Sequence, residues 1–170
     1  MNQLHAISAF DDFNIRQLQA YAAISMLSLC EKFKINHKEI DQLIFHLLAM
    51  LTAESLPEWE RIGANLSVSG RGDPLPMAVE NSIKGIDTVS FREIMESCVE
   101  IGIIDMYGES TNQPRNFLEK CLRKITSHGV ELPSPNALMK LHAGTAPWGN
   151  PVDPAEFDAL IRTLGNTRIV

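Results

Sequence analysis

The stretch Asn36-His37-Lys38-Glu39-Ile40-Asp41-Gln42-Leu43-Ile44-Phe45-His46-Leu47-Leu48-Ala49-Met50-Leu51-Thr52-Ala53-Glu54 constrains this chain more than any other. Ile40, Leu43, Ile44, Leu47, Leu48 and Leu51 recur at the spacing that lines one face of a helix, and Phe45 and Met50 widen the stripe. A helix this apolar must pack against several others, so it is expected at the centre of a helical domain.

Start signals for further helices recur along the chain. Asn14 with Gln17 forms a capping-box pattern that opens a helix over Ile15 to Lys34, and its middle, Tyr21 to Cys30, is apolar or small on nearly every side. Asn36 with Glu39 opens the stretch above, folded back on the first helix by a short joint. Ser55-Leu56-Pro57-Glu58 opens a third helix, to about Leu66, with Leu56, Trp59, Ile62 and Leu66 for the core. Asp73-Pro74 caps a short helix over Leu75 to Lys84, Ser90 with Glu93 starts one that runs to about Met106, and Ile86–Val89 has some strand character. Asn112-Gln113-Pro114 leads into a helix buried through Phe117, Leu118, Cys121, Leu122 and Ile125. Ser134-Pro135 and Asp153-Pro154 begin the last two.

Alternating strand patterns are otherwise missing, which makes the class all-α: one compact domain over residues 1–170 with about seven to eight helices in a bundle, or in stacked helical hairpins. Residues 1–13 are a lead-in. Segments 67–76 and 144–152, rich in Gly and Pro, are irregular loops.

At 170 residues, 45% of them hydrophobic and 21% charged, the chain can bury a core of its own. A formal net charge of -6 repels nucleic-acid phosphates, so direct nucleic-acid binding is not expected and basic partners are favoured. Cys30, Cys98 and Cys121 are odd in number, widely spaced and set among apolar neighbours, which suits reduced core thiols. The N-terminus lacks a signal-peptide pattern and no apolar run is long enough to span a bilayer, so a cytoplasmic protein without membrane contact is expected.

Patterns for a hydrolase elbow, a P-loop or a dinucleotide fold are absent. His5, His37, His46, His128 and His142 share no helix-face spacing that would hold zinc, so neither a metal nor a cofactor is expected. His46 and His142 read first as structural histidines. The enzyme alternative is a small helical enzyme or ligand-binding protein whose site gathers these two and scattered carboxylates inside the bundle. Arg71-Gly72-Asp73 matches an adhesion tripeptide, and its loop context without an export pattern marks it as a chance match.

Glu93, Glu96 and Glu100 fall in a narrow arc of one helix, with Asp105 and Glu109 extending the negative run and Arg92 beside it. A solvated face accounts for such a row; so does a docking surface for a basic partner, with Trp148 as an aromatic anchor alongside.

In size, acidity and helicity the chain resembles small all-α bacterial immunity proteins, which occlude the active site of a toxin delivered by a competing cell. The resemblance implies a protein without catalytic residues that binds and blocks a basic toxin domain, such as a nuclease. The partner-binding residues Glu93, Glu96, Glu100, Asp105, Glu109 and Trp148 come from the charge pattern, not from the family. An oligomeric adaptor that buries an apolar face is a third alternative.

Overall fold

A computed structural model gives the architecture, described here for residues 10–145 and 147–165. Among these the chain forms eight α-helices and no strand. They are α1 (Ile15–Phe33), α2 (Lys38–Leu48), α3 (Leu56–Ala64), α4 (Met77–Ser82), α5 (Thr88–Ile103), α6 (Gln113–Ser127), α7 (Asn136–Met139) and α8 (Pro154–Thr163), with a 3-10 turn at Ala49–Leu51. Residues 1–9 of the expected lead-in, His5 among them, lie outside the described residues.

The bundle is the expected all-α class, but its centre is α1 rather than the Asn36–Glu54 stretch. α1 packs against α2, α5, α6, α7 and the 3-10 turn. Ala20, Ala22, Ala23, Met26, Leu29 and Cys30 are wholly enclosed. Small and apolar residues on every side let neighbours close in all round, whereas α2 has a true outer face in Lys38 and Gln42. The stripe of α2 is buried at Ile40, Leu43, Ile44, Leu47 and Leu48, while Phe45, expected to widen it, is 40% exposed. The helix also stops at Leu48, and Met50 and Leu51 reach the core from the 3-10 turn.

Polar residues of α1 tie its neighbours to it. Gln17 donates to the Leu138 carbonyl at 3.1 Å, Gln19 to the Cys98 carbonyl at 2.8 Å and Tyr21 to the Pro133 carbonyl at 2.8 Å. Arg16, 3% exposed, donates to the carbonyls of Met50, Ala53 (2.8 Å) and Trp148 (3.1 Å). Two of these carbonyls follow α2, where helix ends leave acceptors unsatisfied and the dipole is negative, so a buried cation is held without a carboxylate. Arg115 binds the carbonyls of Phe10, Asp11 and Phe13 in the same way and fixes the approach to α1.

Several helix starts differ from expectation. Asn14 and Gln17 form the full capping box, and Ser55 and Asp153 cap as expected. α2 is capped by His37, whose Nδ1 accepts from the Glu39 amide at 3.3 Å, not by Asn36. Asp87 caps α5 by accepting from the Ser90 amide at 2.8 Å, so Ser90 is already inside the helix and the strand expected at Ile86–Val89 does not form. α4 begins at Met77, after Pro76, and Asp73 instead accepts a hydrogen bond from Ser69. For α2 and α5 two capping residues stand within a few positions of one another, and only one of each pair takes the cap. The 67–76 loop is irregular as expected, yet Val68, Ser69 and Gly70 are buried. Gly70 has φ +67°, and a Cβ there would come within 2.5 Å of Val99 on α5.

Candidate functional site

α5 lies with one side against α1 and α6: Phe91, Ile94, Cys98 and Ile101 are wholly buried. Its opposite side carries Val89, Glu93, Glu96, Glu100 and Ile104, which at about 100° per residue fall within roughly 80° of arc. Ile104 keeps helical dihedrals, and Tyr107 follows in the turn after the helix, its hydroxyl donating to Glu60 of α3 at 3.4 Å. Val89, Ile104 and Tyr107 are 67%, 42% and 76% exposed, which sets three carboxylates between exposed apolar ends. Spacing read for charge alone misses these apolar ends; the same three-four spacing carried back from Glu93 finds Val89, and carried past Glu100 finds Ile104.

The carboxylates differ in surroundings. Glu93 pairs with Lys124 of α6, and Glu96 lies 3.6 Å from Arg92 one turn before it. Both pairs are on the surface, where such bridges contribute little and leave the side chains available to a partner. Glu100 is half-buried and makes no ion pair among the described residues. Glu109 is exposed in the α5–α6 connection. Asp105 does not share this surface: it is 4% exposed and accepts from the amide of Thr111 at 2.7 Å and from its hydroxyl at 2.8 Å. Thr111 in turn accepts from the Gln113 amide, so Asp105 organises the start of α6. Trp148 is half-buried against the core, with its carbonyl held by Arg16.

A second feature lies between α2 and α3. The indole of Trp59 stacks on the imidazole of His46, and its N–H donates to the His46 carbonyl at 2.8 Å. His46 Nε2 is buried without a hydrogen-bond partner, and a Cβ at Gly63 would stand 2.5 Å from it. Burial, reinforced by the Arg71 guanidinium, pushes the imidazole down to about 4, so it is neutral at physiological pH. Above the stack opens a trough of about 1010 Å³, with Phe45, His46, Ala49, Trp59, Ile62 and Leu66 among its walls. Ile62, expected in the core, is 46% exposed here, because Trp59 and Gly63 are the residues α3 buries.

His142 does not join His46. It is on the surface, its Nδ1 2.6 Å from Glu156 of α8. Arg71 pairs with Glu60 and donates to the Glu60 carbonyl at 3.1 Å, which pins its loop to α3. Cys30, Cys98 and Cys121 are buried, and none of the three is part of a disulfide. Among the described residues no group of three His, Cys, Asp or Glu is placed to hold a metal ion, and no helix is long and apolar enough to cross a membrane. The chain matches no protein-family model, no curated protein and no solved structure.

Proposed function

We propose that this chain is a cytoplasmic protein-binding module of the immunity type, which binds a basic toxin domain and blocks it without chemistry. The observation that carries this reading is the outward row of α5, where Glu93, Glu96 and Glu100 stand between exposed Val89 and exposed Ile104 and Tyr107. Carboxylates steer a basic surface into contact, and desolvated apolar and aromatic side chains hold it there. Tyr107 takes the anchoring role in place of Trp148, because it is the more exposed and follows the carboxylates just beyond the end of α5. Asp105 belongs to the support beneath the surface. The net charge of -6 favours a cationic partner over nucleic acid.

Affinity capture from the native host, followed by titration of the captured protein with this chain, tests the reading. The expected result is a partner with a basic domain whose activity falls in proportion to the chain bound. A saturated partner that is acidic, or that keeps full activity, contradicts it.

A further inference from the structure

The trough between α2 and α3 is separate from the α5 row and has the features of a docking groove. Its floor is the Trp59–His46 stack with Ala49 and Ala53, and Phe45 and Ile62 stand half out of the surface. Phe45 is steadied by an edge-on contact with Phe157 of α8, ring centroids 6.1 Å apart. A volume of about 1010 Å³ leaves room for several side chains presented together. The walls are two helices, and α2 spans about three turns, the register in which an amphipathic helix places anchors at i, i+3 or i+4, and i+7.

The rim selects among occupants. Asp41, Glu54 and Glu58 border the trough against Lys38, and Glu58 shares its charge with Arg61. Carboxylates around an apolar floor disfavour an anionic lipid surface and a second copy of a chain that itself carries -6, and they favour Lys or Arg beside apolar anchors. We infer that the α2–α3 trough binds an amphipathic helical segment of a partner protein, with apolar side chains seated over Trp59 between Phe45 and Ile62 and basic residues facing Glu54. This rests on the reading of the chain as a protein-binding module, but not on the α5 row.

The test is a display selection of helix-forming peptides of about 12 residues, long enough to match three turns, against the full chain. Affinities are then measured for the wild type, Phe45→Ala, Ile62→Ala, Glu54→Lys and the triple variant Glu93→Lys/Glu96→Lys/Glu100→Lys. Circular dichroism verifies that each variant is folded. Selected peptides should carry apolar residues on one face and Lys or Arg beside them. They should lose about tenfold or more on Phe45→Ala and on Ile62→Ala, the size typical of a hot-spot truncation. They should weaken on Glu54→Lys and keep their affinity for the triple variant. A selection that yields no such family, or peptides indifferent to both Phe45 and Ile62, overturns the inference. So does a dimer that dissociates on Ile62→Asp, or binding to phosphatidylserine vesicles abolished by that change, since each assigns the trough to another occupant. Trough peptides that behave as expected while the partner still binds the triple variant count against the α5 assignment alone, and a partner lost in the triple variant with no trough peptides selected counts against this inference alone.

Discussion

The imidazole of His46 lies flat on the indole of Trp59, ring centroids 4.8 Å apart and planes 7° from parallel. The pair joins α2 to α3, and its far edge touches α5, because a Cβ on Gly102 would fall 2.7 Å from Trp59 Cη2. One stack therefore forms the floor of the trough and sets the position of the helix that carries the acidic row.

A pH dependence follows from His46. Its folded value of about 4 is below the ordinary value of 6.5, so between these limits the unfolded chain binds a proton that the folded chain does not. Stability from this group is complete above pH 6.5 and falls as pH drops toward 4, by about 2 kcal/mol after allowance for partial solvent screening. Urea unfolding from pH 7 to pH 4 should show the decline, and His46→Leu should flatten that part of the profile.

Glycine-to-alanine changes inside helices ordinarily stabilise by up to about 1 kcal/mol. Gly63→Ala and Gly102→Ala should do the reverse, costing about 1–3 kcal/mol through overpacking. The added methyl meets His46 Nε2 at 2.5 Å in the first, and Gln19 Oε1 at 2.6 Å and Trp59 in the second. Thermal unfolding measures the sign directly.

Arg16→Met should destabilise by roughly 2–4 kcal/mol, since it keeps much of the stem but strands carbonyls that a buried guanidinium had satisfied. Ala53 and Trp148 are those acceptors, while the Met50 carbonyl keeps the Ala53 amide as a donor. Arg16→Lys should recover only part of the loss, because one ammonium cannot reproduce the planar fork. Hydrogen exchange should then rise first in the 3-10 turn and the 147–152 segment.

Asp105→Ala should cost about 1–2 kcal/mol, the range for a lost cap, and loosen the entry to α6 at Thr111 and Gln113. Affinity for a partner on the α5 row should be unchanged while the chain is folded. Comparing unfolding midpoints with binding of this variant separates the two roles.

Features set by neighbours a few residues apart were legible in the sequence. The Asn14–Gln17 box, the Ser55 and Asp153 caps and, apart from exposed Phe45 and half-buried Phe117, the buried stripes of α2 and α6 are i to i+4 relationships, and they appear in the fold. Where two caps compete, as with Asn36 and His37 or Asp87 and Ser90, local chemistry is nearly equal and the tertiary setting decides. The hub position of α1 depends on close approach from several sides, which small residues permit but do not specify. Arg16 reaches Trp148 across 132 positions, and the His46–Trp59 stack depends on how two helices lie. The row of glutamates was readable from spacing, whereas the inward turn of Asp105 depends on the connection that follows α5.

The most direct measurement of the central claim is the association rate with the captured partner at low and high salt, for the wild type, Glu93→Lys/Glu96→Lys/Glu100→Lys and Tyr107→Ala. The account predicts that charge reversal slows association about tenfold or more and removes most of its salt dependence, while Tyr107→Ala mainly speeds dissociation. Rates equal to wild type in both variants, with the fold intact, would contradict it and remove the outer row of α5 as the interface.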